Sequence, residues 1–238
     1  MDLNLKINKS IFRLQKPPLI ACVLTDSDVF ALNGHSIDTA DIIELRIDMF
    51  DDISINHVEE TLRTAKDKFN KPLITTVRNT REGGQKEVPN RLSLYKAALP
   101  MSEFFDVEVN SEGLLTQVKD VIDDKTLLIG SYHNFQYTPD EAVLDSIVSK
   151  GRTLGAEIIK VAVTAKDRND LIRLLLFTLK HRDSGVITMC MGDEGLPSRI
   201  ISPVFGSLIA YGYINKPSAP GQLSILQLSE IFRLLNIR

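Results

Sequence analysis

Short apolar runs rich in β-branched residues recur along the chain, separated by segments in which polar residues dominate. Their spacing of roughly 25 to 30 residues is typical of units in which a strand is followed by a helix. The runs predict strands over Pro18–Leu24, Ile42–Asp48, Pro72–Arg78, Phe104–Val109, Thr126–His133, Glu157–Val163, Gly185–Met191 and Ile209–Ile214.

The segments between these runs carry apolar residues at helical spacing. In Asn56–Phe69, for example, Val58, Leu62 and Ala65 fall on one stripe. Two connections give weaker signals, since Thr25–Asp41 is only weakly helical in pattern and Leu196–Gly206 is short. Further helices are predicted over Asp140–Lys150, Asp167–His181 and Ser224–Leu235.

Eight strands that alternate with helical segments predict a parallel sheet of the α/β class, closed into a (β/α)8 TIM barrel. The length of 238 residues is usual for one such barrel, so we predict a single domain over residues 1–238. The leading segment Leu3–Leu14 alternates loosely between apolar and polar residues. We expect it to form a hairpin that closes the bottom of the barrel.

Composition narrows the class of protein. A net charge of −3 with 25% charged residues does not suggest a nucleic-acid-binding surface. No stretch approaches the roughly 20 apolar residues of a membrane-spanning helix, and the N-terminus lacks the apolar region of a signal peptide. Cys22 and Cys190 lie inside apolar strands, which indicates buried, reduced thiols. We therefore expect a cytoplasmic protein without nucleic-acid or membrane partners.

Lys160 is the main anomaly of the sequence because it interrupts the apolar strand Ile158–Val163. Burying an ammonium costs several kcal/mol unless the group is paired or loses its proton. Lys160 is therefore either a lysine paired with a carboxylate such as Glu44 or Glu108, or a neutral amine that acts as a nucleophile. His133 ends the preceding strand, where it is either a second reactive group or an ordinary loop residue.

Other polar residues also gather at strand ends, where a barrel of this type builds its active site. Glu44, Arg46 and Asp48 share one face of the second strand, and Arg78 ends the third. These charges form either a structural ion-pair network or a substrate clamp. Asp106, Glu108 and Asn110 share one face of the fourth strand.

The loops that follow the strands add further candidates. Glu82, after the third strand, is placed to accept a hydrogen bond from His133. Arg199 carries a planar fork of donors suited to a carboxylate, although a surface arginine at a helix start is the alternative. The segment Ser218–Gln222 follows the last strand, where barrels often bind anions, or it is simply a turn. The histidines show no ligand spacing and no phosphate loop is present, so we expect neither a metal nor a nucleotide cofactor.

Six motifs occur in order across nearly the whole chain. They are Glu44-Leu45-Arg46-x-Asp48, Arg78 followed by Glu82-Gly83-Gly84, Ser131-x-His133-x-Phe135, Lys160-Val161-Ala162-Val163, Met189-x-Met191-Gly192 with Ser198-Arg199, and Ser218-Ala219-Pro220-Gly221-Gln222. Together they make the chain similar to the type I 3-dehydroquinate dehydratases of the shikimate pathway.

The resemblance implies a barrel enzyme, usually a homodimer, that dehydrates 3-dehydroquinate to 3-dehydroshikimate on the route to chorismate and aromatic amino acids, without a cofactor. Lys160 matches the family's Schiff-base lysine, His133 its general acid and base, and Glu82 the carboxylate that orients the histidine. The positions that match substrate-binding residues are Glu44, Arg46, Arg78, Arg199, Ser218 and Gln222.

The chain differs from the family's pattern at two places, and two other functions remain as alternatives. Val23 stands where many relatives carry a substrate-contacting serine, and Asp193-Glu194 is acidic where some carry a lysine. A class I aldolase on the same barrel would also use a strand-six lysine, but it would need a phosphate site near the last two strands. The other alternative is an inactive barrel that serves as a binding module, which would tolerate loss of Lys160 or His133.

Overall fold

The structure is a computed structural model that describes residues 18–238. Eight parallel strands form one sheet in the order β7-β6-β5-β4-β3-β2-β1-β8. The strands are β1 (Leu19–Leu24), β2 (Ile42–Arg46), β3 (Leu73–Thr76), β4 (Phe104–Glu108), β5 (Leu127–Asn134), β6 (Ile158–Thr164), β7 (Val186–Met191) and β8 (Ile209–Gly212). Leu208 N, just before β8, donates to Val186 O at 2.9 Å, so the two ends of the sheet meet and the barrel is nearly closed.

A helix follows each strand. The helices are α1 (Asp26–Ala31), α2 (Ile55–Phe69), α3 (Arg91–Ala98), α4 (Glu112–Val121), α5 (Glu141–Thr153), α6 (Arg168–His181), α7 (Ser198–Val204) and α8 (Ile225–Leu234). No helix within residues 18–238 has the length and apolar character needed to cross a membrane.

The (β/α)8 TIM barrel and all eight predicted strands are confirmed, with differences at the ends of the elements. β2 stops at Arg46 because a 3-10 turn over Ile47–Met49 follows at once, so Asp48 lies beyond the strand. The weak helical signal after β1 corresponds to a helix of only six residues, α1, which Thr25 caps. The sequence analysis did not identify α3 and α4. The hairpin expected over Leu3–Leu14 lies outside the described residues.

Alternation along the strands produces two apolar layers. The larger layer lies between the strands and the helices and includes Cys22 and Cys190, both of which are buried free thiols as predicted. A smaller cluster, with members such as Ile42, Ile129 and Ile158, fills the barrel interior. Apolar side chains therefore fill the barrel interior, except at the carboxyl ends of the strands, where polar side chains are concentrated.

Tyr95 of α3 ties two neighbouring strands together at the level of the polar layer. Its hydroxyl donates to Asp106 O at 2.6 Å and accepts from Val77 N at 3.2 Å. The ring is fully buried. This residue therefore fixes the spacing of the ends of β3 and β4, which carry charged groups of the cavity described below.

Tyr95→Phe should lower the free energy of unfolding by about 1–3 kcal/mol, because the buried Val77 N–H and one lone pair of Asp106 O lose their partner. Urea unfolding measures the change. Tyr137→Phe, at a side chain that is 47% exposed, is the matched control and should leave the midpoint unchanged. Equal midpoints for Tyr95→Phe and the unsubstituted protein would contradict this role.

Candidate active site

The carboxyl ends of the strands surround a cavity of about 250 Å³. Every residue that the sequence analysis placed in the site lines this cavity: Glu44, Arg46, Arg78, Glu82, His133, Lys160, Arg199, Ser218 and Gln222. The fold thus brings together side chains from six strand ends or the loops that follow them. Val23 also forms part of the wall.

Lys160 is only 4% exposed, and its ammonium contacts two carboxylates and one aromatic ring. Nζ donates to Asp106 Oδ2 at 2.9 Å and to Glu44 Oε1 at 3.3 Å. It also lies 4.1 Å from the centroid of the Tyr211 ring. Of the two carboxylates considered from the sequence, Glu44 is a partner. Glu108 is not, since its carboxylate binds Arg78 and Arg91 instead.

Arg78 is the cation that organises the acidic groups. Its guanidinium donates to Asp106 at 2.8 Å, to Glu108 at 3.1 Å and to Ser131 Oγ at 2.6 Å. Burial alone would raise the pKa of Asp106, but the charges of Arg78 and Lys160 hold it well below its ordinary value. Asp106 is therefore a carboxylate at neutral pH, and Lys160 has an ionised partner.

His133 and Glu82 form a second, separate pair. Glu82 Oε2 accepts from His133 N at 2.9 Å and lies 3.2 Å from His133 Nδ1, so the contact expected from the sequence is present. Burial, reinforced by Arg78 and Lys160, holds the pKa of His133 well below 6.5. The imidazole is consequently neutral at physiological pH and able to accept a proton.

Glu82 itself is held in place from the other side. Asn110, which follows β4, donates from Nδ2 to Glu82 Oε1 at 3.1 Å. Burial raises the pKa of Glu82 to about 7, although Arg78 and these hydrogen bonds oppose the shift. Glu82 therefore changes between its protonated and ionised forms near neutral pH, whereas His133 stays neutral there.

Arg199 differs from the other cations of the cavity because it pairs with no carboxylate among residues 18–238. It is 4% exposed and donates from Nη2 to Pro220 O at 3.0 Å, while Nε has no hydrogen-bond partner. Burial lowers the pKa of Arg199 to about 10, so it stays charged at neutral pH. A buried cation without an ionised partner favours an anionic ligand.

The remaining predicted residues complete the rim. Arg46 makes a bidentate pair with Asp48, at 2.9 Å and 2.8 Å. Gln222 Oε1 accepts from the backbone N and the hydroxyl of Ser218, at 2.6 Å and 3.0 Å. Within residues 18–238 the amide nitrogen of Gln222 has no acceptor, so it is left as a donor. Asp48 lies behind the wall, where it orients Arg46.

Sequence reasoning left out three residues that the geometry places in or behind the site. Asp106 and Asn110 were recognised as polar positions on one face of the fourth strand but were not assigned to the site. The signal for Asp106 was its place in an apolar strand, two residues before Glu108. Tyr211 gave no signal, since an aromatic residue in a strand usually belongs to the core. Within the described residues, no group of side chains could hold a metal ion.

Asn110→Ala should raise the pKa of Glu82 further, by roughly half a unit to one unit, because a donor that stabilises the carboxylate is lost. Titration of glutamate side-chain carbons by NMR measures this value directly. Gln117→Ala, at an exposed position on α4, is the control. An unchanged titration of Glu82 in Asn110→Ala would show that the hydrogen bond does not act on the carboxylate.

Comparison with known proteins places this geometry in a family. The 3-dehydroquinate dehydratase of Thermodesulfovibrio yellowstonii is 42% identical over 227 residues, which cover 94% of this chain and 99% of the relative. The crystal structure of the Aquifex aeolicus 3-dehydroquinate dehydratase matches with a TM-score of 0.82 at 36% identity, covering 91% of this chain and 98% of that chain.

A second solved structure, the type I 3-dehydroquinate dehydratase of Clostridium difficile with covalently modified comenic acid, matches with a TM-score of 0.85 at 28% identity and covers 93% of each chain. The family model for type I 3-dehydroquinase matches residues 21–238. The chain therefore belongs to the type I 3-dehydroquinase family of hydro-lyases.

Proposed function

We propose that this enzyme of the shikimate pathway dehydrates 3-dehydroquinate to 3-dehydroshikimate through a covalent imine on Lys160, with His133 moving the protons. The observation that carries the proposal is that one cavity holds a buried lysine, a neutral imidazole and an arginine without a carboxylate partner. Relatives named for this reaction support the choice of substrate. Family membership also favours dehydration over the aldolase alternative and over an inactive barrel.

Imine formation starts from the ammonium of Lys160. Its nitrogen must give up a proton, attack the C3 ketone and release the ketone oxygen as water, so the ammonium supplies both protons of that water. The iminium that results carries the same single positive charge as the ammonium. Asp106 and Glu44, which pair with the ammonium now, therefore also suit the intermediate.

Dehydration then follows from the electron demand of the iminium. The C2 hydrogen becomes acidic, and the neutral imidazole of His133 accepts it to give an enamine. The enamine expels the C1 hydroxyl, which leaves as water when the imidazolium returns the proton. Water finally hydrolyses the iminium to release 3-dehydroshikimate and Lys160. Glu82, on Nδ1, orients the ring and stabilises the imidazolium while it exists.

Arg199 is proposed to bind the carboxylate of the substrate. It is the one cation of the cavity that the described residues leave without a carboxylate, whereas Arg78 and Arg46 are already paired. Two hydrogen bonds from the Arg199 guanidinium to the carboxylate would fix the orientation of the substrate ring. C2 and the C1 hydroxyl would then both face the imidazole of His133. Glu44, Ser218 and the amide of Gln222 are proposed to bind hydroxyl groups. Arg78 and Arg46 act mainly by orienting the carboxylates with which they pair.

The covalent nature of the proposed intermediate has support from a relative. The Clostridium difficile type I 3-dehydroquinate dehydratase was solved with covalently modified comenic acid. In this chain Lys160 is the proposed nucleophile. On the resemblance alone we also propose a cytoplasmic homodimer in which residues 1–238 form one domain. Sedimentation velocity would contradict the dimer if it gave the mass of one chain.

Borohydride added during turnover of 3-dehydroquinate should inactivate the enzyme and leave a reduced adduct on the peptide that carries Lys160, because borohydride reduces the iminium to a stable amine. Peptide mass mapping locates the adduct. His133→Ala should still form the adduct, but its turnover should fall by roughly 10²–10⁴-fold, since proton transfer is lost.

Lys166→Met is the matched control, because Lys166 is an exposed lysine that follows the same strand. It should be labelled and inactivated like the unsubstituted enzyme, whereas Lys160→Met should give no adduct. Full turnover with no adduct on Lys160 would rule out the imine. Trapping with dihydroxyacetone phosphate, but not with 3-dehydroquinate, would favour an aldolase. Full turnover in His133→Ala would refute the role of the imidazole.

A further inference from the structure

Among residues 18–238, Tyr211 of β8 is the aromatic side chain whose ring lies against Lys160, the proposed nucleophile, and none of the steps described above uses it. Its ring is 5% exposed, and Lys160 Nζ lies over the ring face at 4.1 Å from the centroid. A cation within about 6 Å of a ring face is attracted by the negative charge of the π system, most strongly where water is excluded. Both conditions hold here.

The ring, and not the hydroxyl, is the part of Tyr211 that interacts. Its hydroxyl oxygen is buried and has no hydrogen-bond partner in the part of the chain that the structure describes. Burial, together with the charges of Glu44 and Asp106, raises the pKa of Tyr211 well above 10, so the phenol stays neutral. It is therefore neither an acid–base group nor a counter-ion for Lys160.

The lysine nitrogen loses N–H donors when the imine forms, and the ring can still stabilise its positive charge. The ammonium has three N–H donors, and two of its hydrogen bonds go to Asp106 and Glu44. An iminium nitrogen has one N–H and one positive charge. At least one of the two carboxylates must therefore lose its hydrogen bond when the imine forms, whereas attraction to a ring face needs no N–H at all.

We propose that the face of Tyr211 is a catalytic surface that stabilises the iminium on Lys160, holding the positive charge after the nitrogen has lost two of its three donors. This inference rests on the proposed imine mechanism and deepens it. The carboxylates stabilise the resting ammonium better than the iminium. The ring attracts the iminium more strongly than the ammonium, because the planar iminium can stack on the ring face and fewer hydrogen bonds compete for its charge. The ring thus offsets part of the loss of hydrogen bonding at the step where the electron sink is created.

The other residues around the nitrogen do not supply the same interaction. Ala162 and Met189, which also line the cavity, present no aromatic face, and Phe135, a second aromatic residue of the lining, has its ring against Gly83. Arg78 is itself a cation and cannot stabilise a second positive charge, and His133 is needed for proton transfer. The ring of Tyr211, over which Lys160 Nζ lies, therefore supplies an interaction that these neighbours do not.

The test compares substitutions that keep the ring with substitutions that remove it. Tyr211→Leu should lower kcat by roughly 10- to 30-fold, the range expected for a desolvated cation–π contact, and should lower the fraction of enzyme that borohydride traps during turnover. KM should change less than kcat, because the ring acts on the covalent intermediate. Tyr211→Phe should retain most of the wild-type kcat and should melt at the same or a higher temperature, since it removes an unpaired buried hydroxyl.

A fluorine series separates the electrostatics of the ring from its shape. Site-specific replacement of Tyr211 by phenylalanine carrying one, two or three ring fluorines withdraws π charge stepwise with little change in size. The logarithm of kcat should fall in step with the number of fluorines, while melting temperatures stay close together. A flat series, or full kcat in Tyr211→Leu, would overturn the role of the ring even when the Lys160 adduct forms normally. Absence of that adduct in the unsubstituted enzyme would overturn the imine mechanism and this inference together.

Discussion

The ion pair between Lys160 and Asp106 is the interaction on which the rest of the site depends. Both groups lie in the interior of the barrel, where an unpaired charge costs several kcal/mol. Asp106 stays ionised because Arg78 also binds it, and Arg78 in turn binds Glu108. The network that results contains three cations and three carboxylates: Lys160, Arg78 and Arg91 with Asp106, Glu108 and Glu44. A balanced network of this kind allows a lysine to be buried on a strand without unfolding the barrel.

His133 and Arg199 lie in the cavity but are not part of this ion-pair network. Both have properties that favour a catalytic or substrate-binding role. His133 is kept neutral by burial and by the cations around it, so the cavity holds a base where a charged imidazole would be repelled. Arg199 is kept charged without a carboxylate partner among the described residues, so the cavity also holds an unmet positive charge. A substrate that brings its own carboxylate and a carbonyl group completes the network. The resting structure is thus preorganised for an anionic ketone.

Much of the fold could be read from the sequence because parallel strands are buried on both faces and appear as apolar runs. The charged residues at the ends of those runs predicted the candidate site because a charge is conspicuous in an apolar run, as Lys160 shows. Strand ends were harder to place: β2 stops at Arg46 because local 3-10 geometry outweighs the alternation that continues to Asp48. The registers of β4 and β6 against β5, which lies between them, determine which carboxylate pairs with Lys160. The sequence of either strand alone does not contain these registers. Tyr211 was missed because its proposed function comes from a ring face, and an aromatic residue in a strand has no polar pattern to reveal it.

A crystal structure of the enzyme soaked with 3-dehydroquinate and flash-cooled during turnover tests the central claim most directly. The account predicts continuous electron density from Lys160 Nζ to C3 of the ligand, with the ligand carboxylate on Arg199 and the imidazole of His133 facing C2. Asp106 should remain within hydrogen-bond distance of the iminium nitrogen or of Arg78. A fully occupied ligand that is not bonded to Lys160, or one whose carboxylate lies on Arg46 instead of Arg199, would contradict the account.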